Sequence, residues 1–409
     1  MKAKDFCDKV FDGTHDTPKP VSNGKLLITS KHIANRCLDT TSAYYISEDD
    51  YNNINKRSRV QQYDVLFSMI GTVGNVYIER SKNIDYTIKN MGVFSCGDRD
   101  RALWLYYYLQ SPKVKMNINS YLSGAVQKFV PLDFLRNLDI PDYSRQCKSI
   151  INVLTALDDK IALNKRINDK LEAMAKRLYD YWFVQFDFPD ENGRPYKSSG
   201  GKMVWNETLK REIPAGWEIK RIDEITDIFN GSTPSTNNQN NYGGNIIWIT
   251  PKDLSDQNSK FVYKGARNIT VEGYNSCSTT IIPKGSIVMS SRAPIGLLSI
   301  AQCDLCTNQG FKNLVPKHAV DSYYLYYTLK SNIGKIQNLG TGTTFKEVSK
   351  DDLGRFSLLY PSNDITSLFT NKLTSLFAKQ LLIEKQSARL TLLRDRLLPL
   401  LMNGQVEVK

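Results

Sequence analysis

The sequence predicts an α+β protein: two mixed α/β modules in pseudo-two-fold repeat, separated by two long antiparallel coiled-coil helices. Three observations predict it. The chain matches itself at an offset near 218 residues, two stretches carry a sustained heptad of apolar positions, and the remainder mixes short β-type runs with Gly, Pro, Asn and Asp turns. At 409 residues the chain is too long for one ordinary domain, and 41% apolar residues suffice for packed cores.

The repeat is anchored by Val10-Phe11-Asp12-Gly13-Thr14 and Ile228-Phe229-Asn230-Gly231-Ser232, with 231 − 13 = 218. Asn90-Met91-Gly92 aligns with Asn308-Gln309-Gly310, again 308 − 90 = 218. At the same offset the aromatic run Tyr106 to Leu109 faces Tyr324 to Tyr327, Gly124 faces Gly342, and Lys128 faces Lys346. Val130 with Val348 and Leu135 with Leu353 complete the set. Elsewhere the register drifts by a few residues, as loop insertions allow. Thr29-Ser30-Lys31-His32-Ile33 then aligns with Thr250-Pro251-Lys252-Asp253-Leu254.

Within the modules, Val65 to Ile70, Ile246 to Ile249 and Ser286 to Ser290 read as strands. Trp104 to Leu109 and Tyr323 to Leu329 read as short amphipathic helices, with Tyr106, Tyr107, Tyr324 and Tyr327 as core rather than base-stacking residues.

The coiled-coil element rests on spacing. Ile150, Leu154, Leu157, Ile161, Asn164, Asn168, Leu171, Ala175, Leu178 and Trp182 recur at 4-3-4-3 intervals without Gly or Pro. Adding 219 gives Phe369, Leu373, Leu376, Gln380, Ile383, Ser387, Leu390, Arg394, Leu397 and Leu401. Each stripe alone would be wet, so the two helices are expected to pack on each other. The chain returns through a globular module, which makes the pair antiparallel. Asn164, Asn168, Gln380 and Ser387 would set its register. Residues 186–216, rich in Pro, Gly, Asn and Ser, read as a turn-rich linker.

A formal net charge of +12 and a pI near 9.1 favour a polyanionic partner. No apolar run approaches the ~18–20 residues that span a bilayer. The start has no signal-peptide core, which places the chain in the cytosol and off the membrane. Seven scattered cysteines, an odd number, fit reduced thiols.

Catalytic signatures are missing. Gly24-Lys25, Gly201-Lys202 and Gly334-Lys335 are not followed by Ser or Thr, so no phosphate-cradling loop is encoded. No GxGxxG run and no Asn/Asp-Pro-Pro-aromatic run occurs, and only His15, His32 and His318 could supply imidazole to a metal. Cys303 and Cys306 have zinc-knuckle spacing without a second pair. Asp142, Asp158, Asp159 and Lys160 mimic a nuclease set. Asp158 and Lys160, however, read as the solvated face of the first long helix. The alternative, a DNA methyltransferase or nuclease fused to its own reader, would need one of these sites. A third class is a structural protein whose coiled coil binds other proteins.

DNA reading calls for polar or basic side chains beside small residues that let the backbone approach the duplex. Lys31 and His32, Gln127 and Lys128, Lys252, Arg292, and Thr343, Thr344 and Lys346 satisfy that description. They fall in loops at corresponding places of the two repeats.

Nearly the whole chain resembles the specificity subunit of type I restriction–modification systems. The resemblance is most specific over Tyr181-Trp182-Phe183-Val184-Gln185-Phe186-Asp187-Phe188-Pro189 and on to Arg211-Glu212-Ile213-Pro214-Ala215-Gly216-Trp217-Glu218. The tail Leu397 to Val406, Phe229-Asn230-Gly231-Ser232-Thr233-Pro234 and Ser291-Arg292-Ala293-Pro294-Ile295-Gly296 are similar too. The first module departs from the pattern: it lacks a counterpart of Ile213 to Trp217 and has a longer Gly13 to Pro18 segment.

The resemblance implies target recognition domains at 1–143 and 217–362, conserved helices at 144–185 and 363–409, and the linker at 186–216. Each domain would read one half of a bipartite site in double-stranded DNA. Two methyltransferase subunits would dock on the helices, through Leu157, Ile161, Leu171, Leu178, Leu376, Ile383, Leu390 and Leu397, and methylate adenine. Restriction subunits would cut. S-adenosylmethionine, ATP and magnesium would sit on those partners, and this chain would hold no cofactor and no catalysis.

Overall fold

Short runs of β-branched and aromatic residues between turns form strands at the predicted places, and the tyrosine-rich runs form helices. The computed structural model describes residues 1–123, 129–257, 259–317, 320–342 and 346–408. The chain divides into two compact units, residues 1–163 with 387–409, and residues 164–386.

In the first unit an antiparallel sheet has the order Lys9–Asp12, Met91–Ser95, Val65–Ser68, Val76–Ile78. A second sheet places Lys25–Thr29 between Tyr44–Ile46, antiparallel, and Tyr86–Lys89, parallel. Val65–Ser68 is buried on both faces, because successive side chains point to opposite sides. Val65 and Phe67 meet the tyrosine-rich helix Arg99–Tyr108, while Leu66 packs with Ile28 and Ile88 of the second sheet.

The second unit repeats this design. Its main sheet runs Thr226–Asn230, Phe311–Pro316, Ile287–Ser290, Leu298–Ala301, with Phe261–Val262 added at the edge. Tyr242–Ile249 lies between Arg267–Ile269, antiparallel, and Cys306–Thr307, parallel. Ile287 and Met289 share a core with the helix Ser322–Ser331, and Val288 faces Ile249 and Leu305. Tyr106, Tyr107, Tyr324 and Tyr327 are all buried, as expected.

Hydrogen bonds confirm some repeat anchors and shift others. Val130 N–H donates to Met69 O and Val348 N–H to Ser291 O, each at 3.0 Å. The lone bridge between Lys2 and Asp139 is the first unit's remnant of the strand pair Glu218–Arg221 and Ser357–Tyr360. The alignment of Asn90-Met91-Gly92 with Asn308-Gln309-Gly310 is corrected by two residues. Asp12 faces Gly92 and Asn230 faces Lys312, so the strands correspond at 312 − 92 = 220. The intervening loops differ in length, and only strand pairing reveals where.

The heptad stripes form helices Arg145–Tyr179, continued by a π-helical turn Asp180–Val184, and Asn363–Met402. None of the twenty seam positions is exposed. In the first unit Ile150 and Leu154 share a core with Leu398 and Leu401, and Arg394 pairs with Asp158 at 2.8 Å. In the second, Asn164 donates to Gln386 at 2.9 Å, Asn168 to Glu384 at 3.1 Å, and Gln380 to Glu172 at 3.3 Å. Numbers rise along one helix as they fall along the other, so each pair of segments is antiparallel.

Two expectations need correction. Asp158 does not lie on a solvated face: it is shielded by Arg394 and accepts from the Tyr107 hydroxyl at 2.8 Å. The segment 186–216 is more than a linker. It contains the hairpin Met203–Asn206 and Arg211–Pro214, and buries Phe186, Phe188 and Ile213 beside Trp217.

Candidate nucleic-acid interface

In the second module, loops distant in sequence meet at one edge of the sheets. The strand Ile287–Ser290 ends in a turn held by Ser290, whose Oγ donates to Pro294 O at 2.6 Å and accepts from Leu297 N–H at 2.8 Å. Next to it, Ser291 N–H donates to Gly310 O at 2.8 Å, and Asn308 N–H to Ile249 O at 2.9 Å. Ser232 N–H donates to Thr307 O at 2.9 Å, and Arg292 bridges to Glu347. These bonds gather Ser232-Thr233, Lys252, Arg292, Asn308-Gln309 and Lys346 on one loop edge. Lys252 and Lys346 are exposed there.

Glu347 tempers the positive charge of this edge. Its Oε1 lies 3.0 Å from the buried Lys312 ammonium and its Oε2 4.0 Å from Arg292. Arg292 is thus only loosely held by Glu347.

The first module builds the same edge. Ser68 Oγ donates to Thr72 O and accepts from Asn75 N–H at 2.8 Å, the turn that Ser290 makes in the second module. Gly13 N–H donates to Met91 O at 2.9 Å and Asn90 N–H to Thr14 O at 3.0 Å. His15, Lys31, Ile70, Lys89 and Asn90 gather there. Ile70 is exposed at the place where the second module has Arg292, as its bridge to Phe129 matches that of Arg292 to Glu347.

His32 is placed differently from its expected role. Its ring is 2% exposed, and Nδ1 accepts the Thr29 backbone N–H at 2.8 Å. Burial lowers its pKa, which keeps the ring neutral and able to accept. Asp253 serves the second module in the same way, its Oδ2 accepting from Thr250 N–H at 2.7 Å. The aligned pair therefore shapes the turn, and the exposed lysines before them, Lys31 and Lys252, face outward. Gln127, Lys128, Thr343 and Thr344 lie outside the described residues. His15, Asn90 and Gln309 are not among the DNA contacts that the sequence suggests. Their only signal there was a polar side chain beside an aligned glycine.

The residues expected to dock partners turn inward. Leu157, Ile161, Leu171, Leu178, Leu376, Leu390 and Leu397 are half-buried and Ile383 buried, because the two helices use that stripe against each other and the modules. Other apolar side chains of the helices face solvent: Leu392 and Leu393 in the first unit, Met174 and Leu382 in the second.

A buried polar network ties the second module to both helix segments of its unit. The Lys260 ammonium, with its side chain 4% exposed, lies 2.5 Å from Glu172, and bonds Tyr327 Oη at 2.6 Å and Gln380 Oε1 at 2.9 Å. Lys330 reaches the other Glu172 oxygen at 2.9 Å. Burial alone would raise the Glu172 carboxyl, but the two ammonium groups outweigh it and hold it at about 2. Burial pushes Lys260 down to about 8, with Glu172 offsetting only part.

Among the described residues no group of three His, Cys, Asp or Glu could hold a metal, and no helix is long and apolar enough to cross a membrane. Cys303 and Cys306 bond separate carbonyls, of Tyr263 and Ile247.

Comparison with known proteins places this architecture. The family model "Type I restriction modification DNA specificity domain" matches residues 15–173 and 214–392, one copy in each half. The type I restriction enzyme MjaIX specificity subunit of Methanocaldococcus jannaschii is 42% identical over 167 residues, 39% of this chain. That match spans 39% of the relative's length. The HindI specificity subunit of Haemophilus influenzae is 30% identical over 319 residues, 66% of this chain and 69% of the relative. The crystal structure of the type I S subunit from M. genitalium shares the fold, with a TM-score of 0.58 at 14% identity over 98% of this chain and 95% of that one. With two specificity domains in tandem, the chain belongs to the DNA specificity subunits of type I restriction–modification systems.

Proposed function

We propose that the chain reads a bipartite, asymmetric double-stranded DNA site, one half with each module. It directs adenine methylation by two methyltransferase subunits and cleavage by restriction subunits in the cytoplasm. S-adenosylmethionine, ATP and magnesium belong to those partners. The observation that carries this reading is the duplicated loop edge: the same turns, from the same strands, present Lys31 in one module and Lys252, Arg292 and Lys346 in the other. Lysines there neutralise phosphate, which fixes register without reading sequence, and Arg292 can fork onto guanine. The solvent-facing Met174, Leu382, Leu392 and Leu393 offer apolar area to the methyltransferase subunits. The seam leucines contribute by holding the helices on which those side chains stand.

The test is module exchange. Replacing residues 217–362 by the corresponding segment of a relative should change one half of the methylated motif and leave the other intact. Simultaneous change of both halves would overturn the reading.

A further inference from the structure

Each loop edge holds a carboxamide in the same setting. In the first module the Asn90 Oδ1 lies 2.8 Å from His15 Nδ1, and Asp12 holds the other ring nitrogen at 3.1 Å. In the second the Thr233 hydroxyl donates to Gln309 Oε1. His15 and Thr233 both stand two residues beyond a buried glycine, Gly13 or Gly231, where an added Cβ would strike a neighbouring carbonyl, that of Ile88 or Asn308. The close approach that only glycine permits is what brings His15 and Thr233 beside the amides. The amides are not at one alignment position. Asn90 corresponds to Gly310 in strand register, one residue from Gln309, so the two modules reach the same arrangement with a one-residue difference.

We infer that Asn90 and Gln309 are base-reading residues, each recognising an adenine in its module's half-site from the major groove. The inference rests on the DNA-reading function proposed above. A carboxamide matches adenine alone among the bases with one acceptor and one donor side by side, accepting from N6 and donating to N7. In the second module the Thr233 donor fixes which way the Gln309 amide faces, whereas in the first the Asn90 amide faces according to the His15 tautomer, because Asp12 holds the other ring nitrogen. The Thr233 hydroxyl occupies one lone pair of the Gln309 oxygen, leaving the second for N6, and turns that amide nitrogen outward. Among the described residues neither the Asn90 nor the Gln309 amide nitrogen has a hydrogen-bond partner, and Gln309 is exposed. A side chain already held in its reading orientation loses less freedom on binding, which sharpens discrimination.

The experiment uses the full chain, expressed with its methyltransferase subunits, and maps methylated motifs at base resolution for Asn90→Ala, Gln309→Ala and Gln309→Glu. Binding of the assembled complex to duplexes carrying single base-pair changes gives the fold-change. Gln309→Ala should reduce discrimination at one A·T pair about 5- to 150-fold and leave the other half-site unchanged. Asn90→Ala should do the same in the opposite half. Gln309→Glu, which can only accept, should move the preference at that pair toward cytosine, whose N4 donates. The untouched half-site reports that the variant is folded and assembled. An unchanged motif, relaxation at a G·C pair, or uniform weakening across all duplexes would overturn the inference. If module exchange still moves half a motif while these variants do nothing, only the carboxamide assignment fails. If module exchange itself fails, the reading beneath it does.

Discussion

Replacing Glu172 by Gln strands a buried ammonium. Lys260 would keep Tyr327 and Gln380 as partners but lose Glu172, the one carboxylate within ion-pair distance among the described residues. With its folded pKa near 2 against an ordinary 4.5, Glu172 contributes on the order of 3 kcal/mol, (4.5 − 2) × 1.36, to stability at neutral pH. Lys260 works in the opposite direction. Its pKa of about 8 against 10.5 opposes folding below pH 8, and the opposition is relieved as pH rises from 8 toward 10.5. Without Glu172 the amine becomes neutral in the folded state. Its penalty at pH 7 then grows from about 3 kcal/mol to about 5 kcal/mol. The same Coulomb contact enters both figures, so they are not added. The expected loss is about 3–5 kcal/mol, the range for breaking a buried pair. The assay is denaturant unfolding of the full chain at pH 7 and pH 9, following the transition that contains residues 164–386. At pH 9 Lys260 is neutral in both proteins, so the difference between them should shrink by at least about 1 kcal/mol. A loss below about 1 kcal/mol at pH 7, or one that does not change by pH 9, would refute the reasoning.

Further outcomes follow from the same geometry. Arg394→Met should destabilise the first unit by about 2–4 kcal/mol, measured as a loss in unfolding free energy, because among the described residues Asp158 is left shielded with Tyr107 and the more distant Arg36. Lys346→Ala and Lys252→Ala should each weaken DNA binding evenly across sequences and reduce the slope of log affinity against log salt by about 1, as measured by titration at several salt concentrations. Acid titration of the wild type should cost the second unit stability as pH falls from 4.5 toward 2, and Glu172→Gln should lack that component of the profile. Inserting one heptad after Leu171 and another near Ile383 preserves the seam and adds about 10 Å of helix. The unread spacer of the methylated motif should lengthen by roughly three base pairs with both half-sites unchanged.

Periodic features were legible in the sequence and point contacts were not. The seam and the repeated strands follow from apolar spacing, which survives without knowing any partner. Arg394 shows the limit: in the heptad it is an interruption, and only folding brings Asp158, 236 residues away, against it. Lys260 and Glu172 carry no periodic signal either, because they lie on different elements. The loop edge was legible as a class, since Lys31 and Lys252 stand in aligned turns. His32 misled because an imidazole can accept a backbone N–H as a carboxylate does, and Asp253 at the aligned position was the clue to that capping role. The two-residue slip at Asn90 arose because the lengths of unstructured connections leave no imprint on hydrophobic pattern.

The division of the chain also sets an order of assembly during synthesis. Residues 164–386 are contiguous and can close as soon as they have left the ribosome. The unit begun first is finished last, because residues 387–409 belong to it and Leu398 and Leu401 cover Ile150 and Leu154. Until those final turns of helix emerge, the nascent N-terminal unit carries an open apolar seam. A message truncated near residue 386 would release a chain whose first unit can never cover that seam, a ready target for chaperones and proteases.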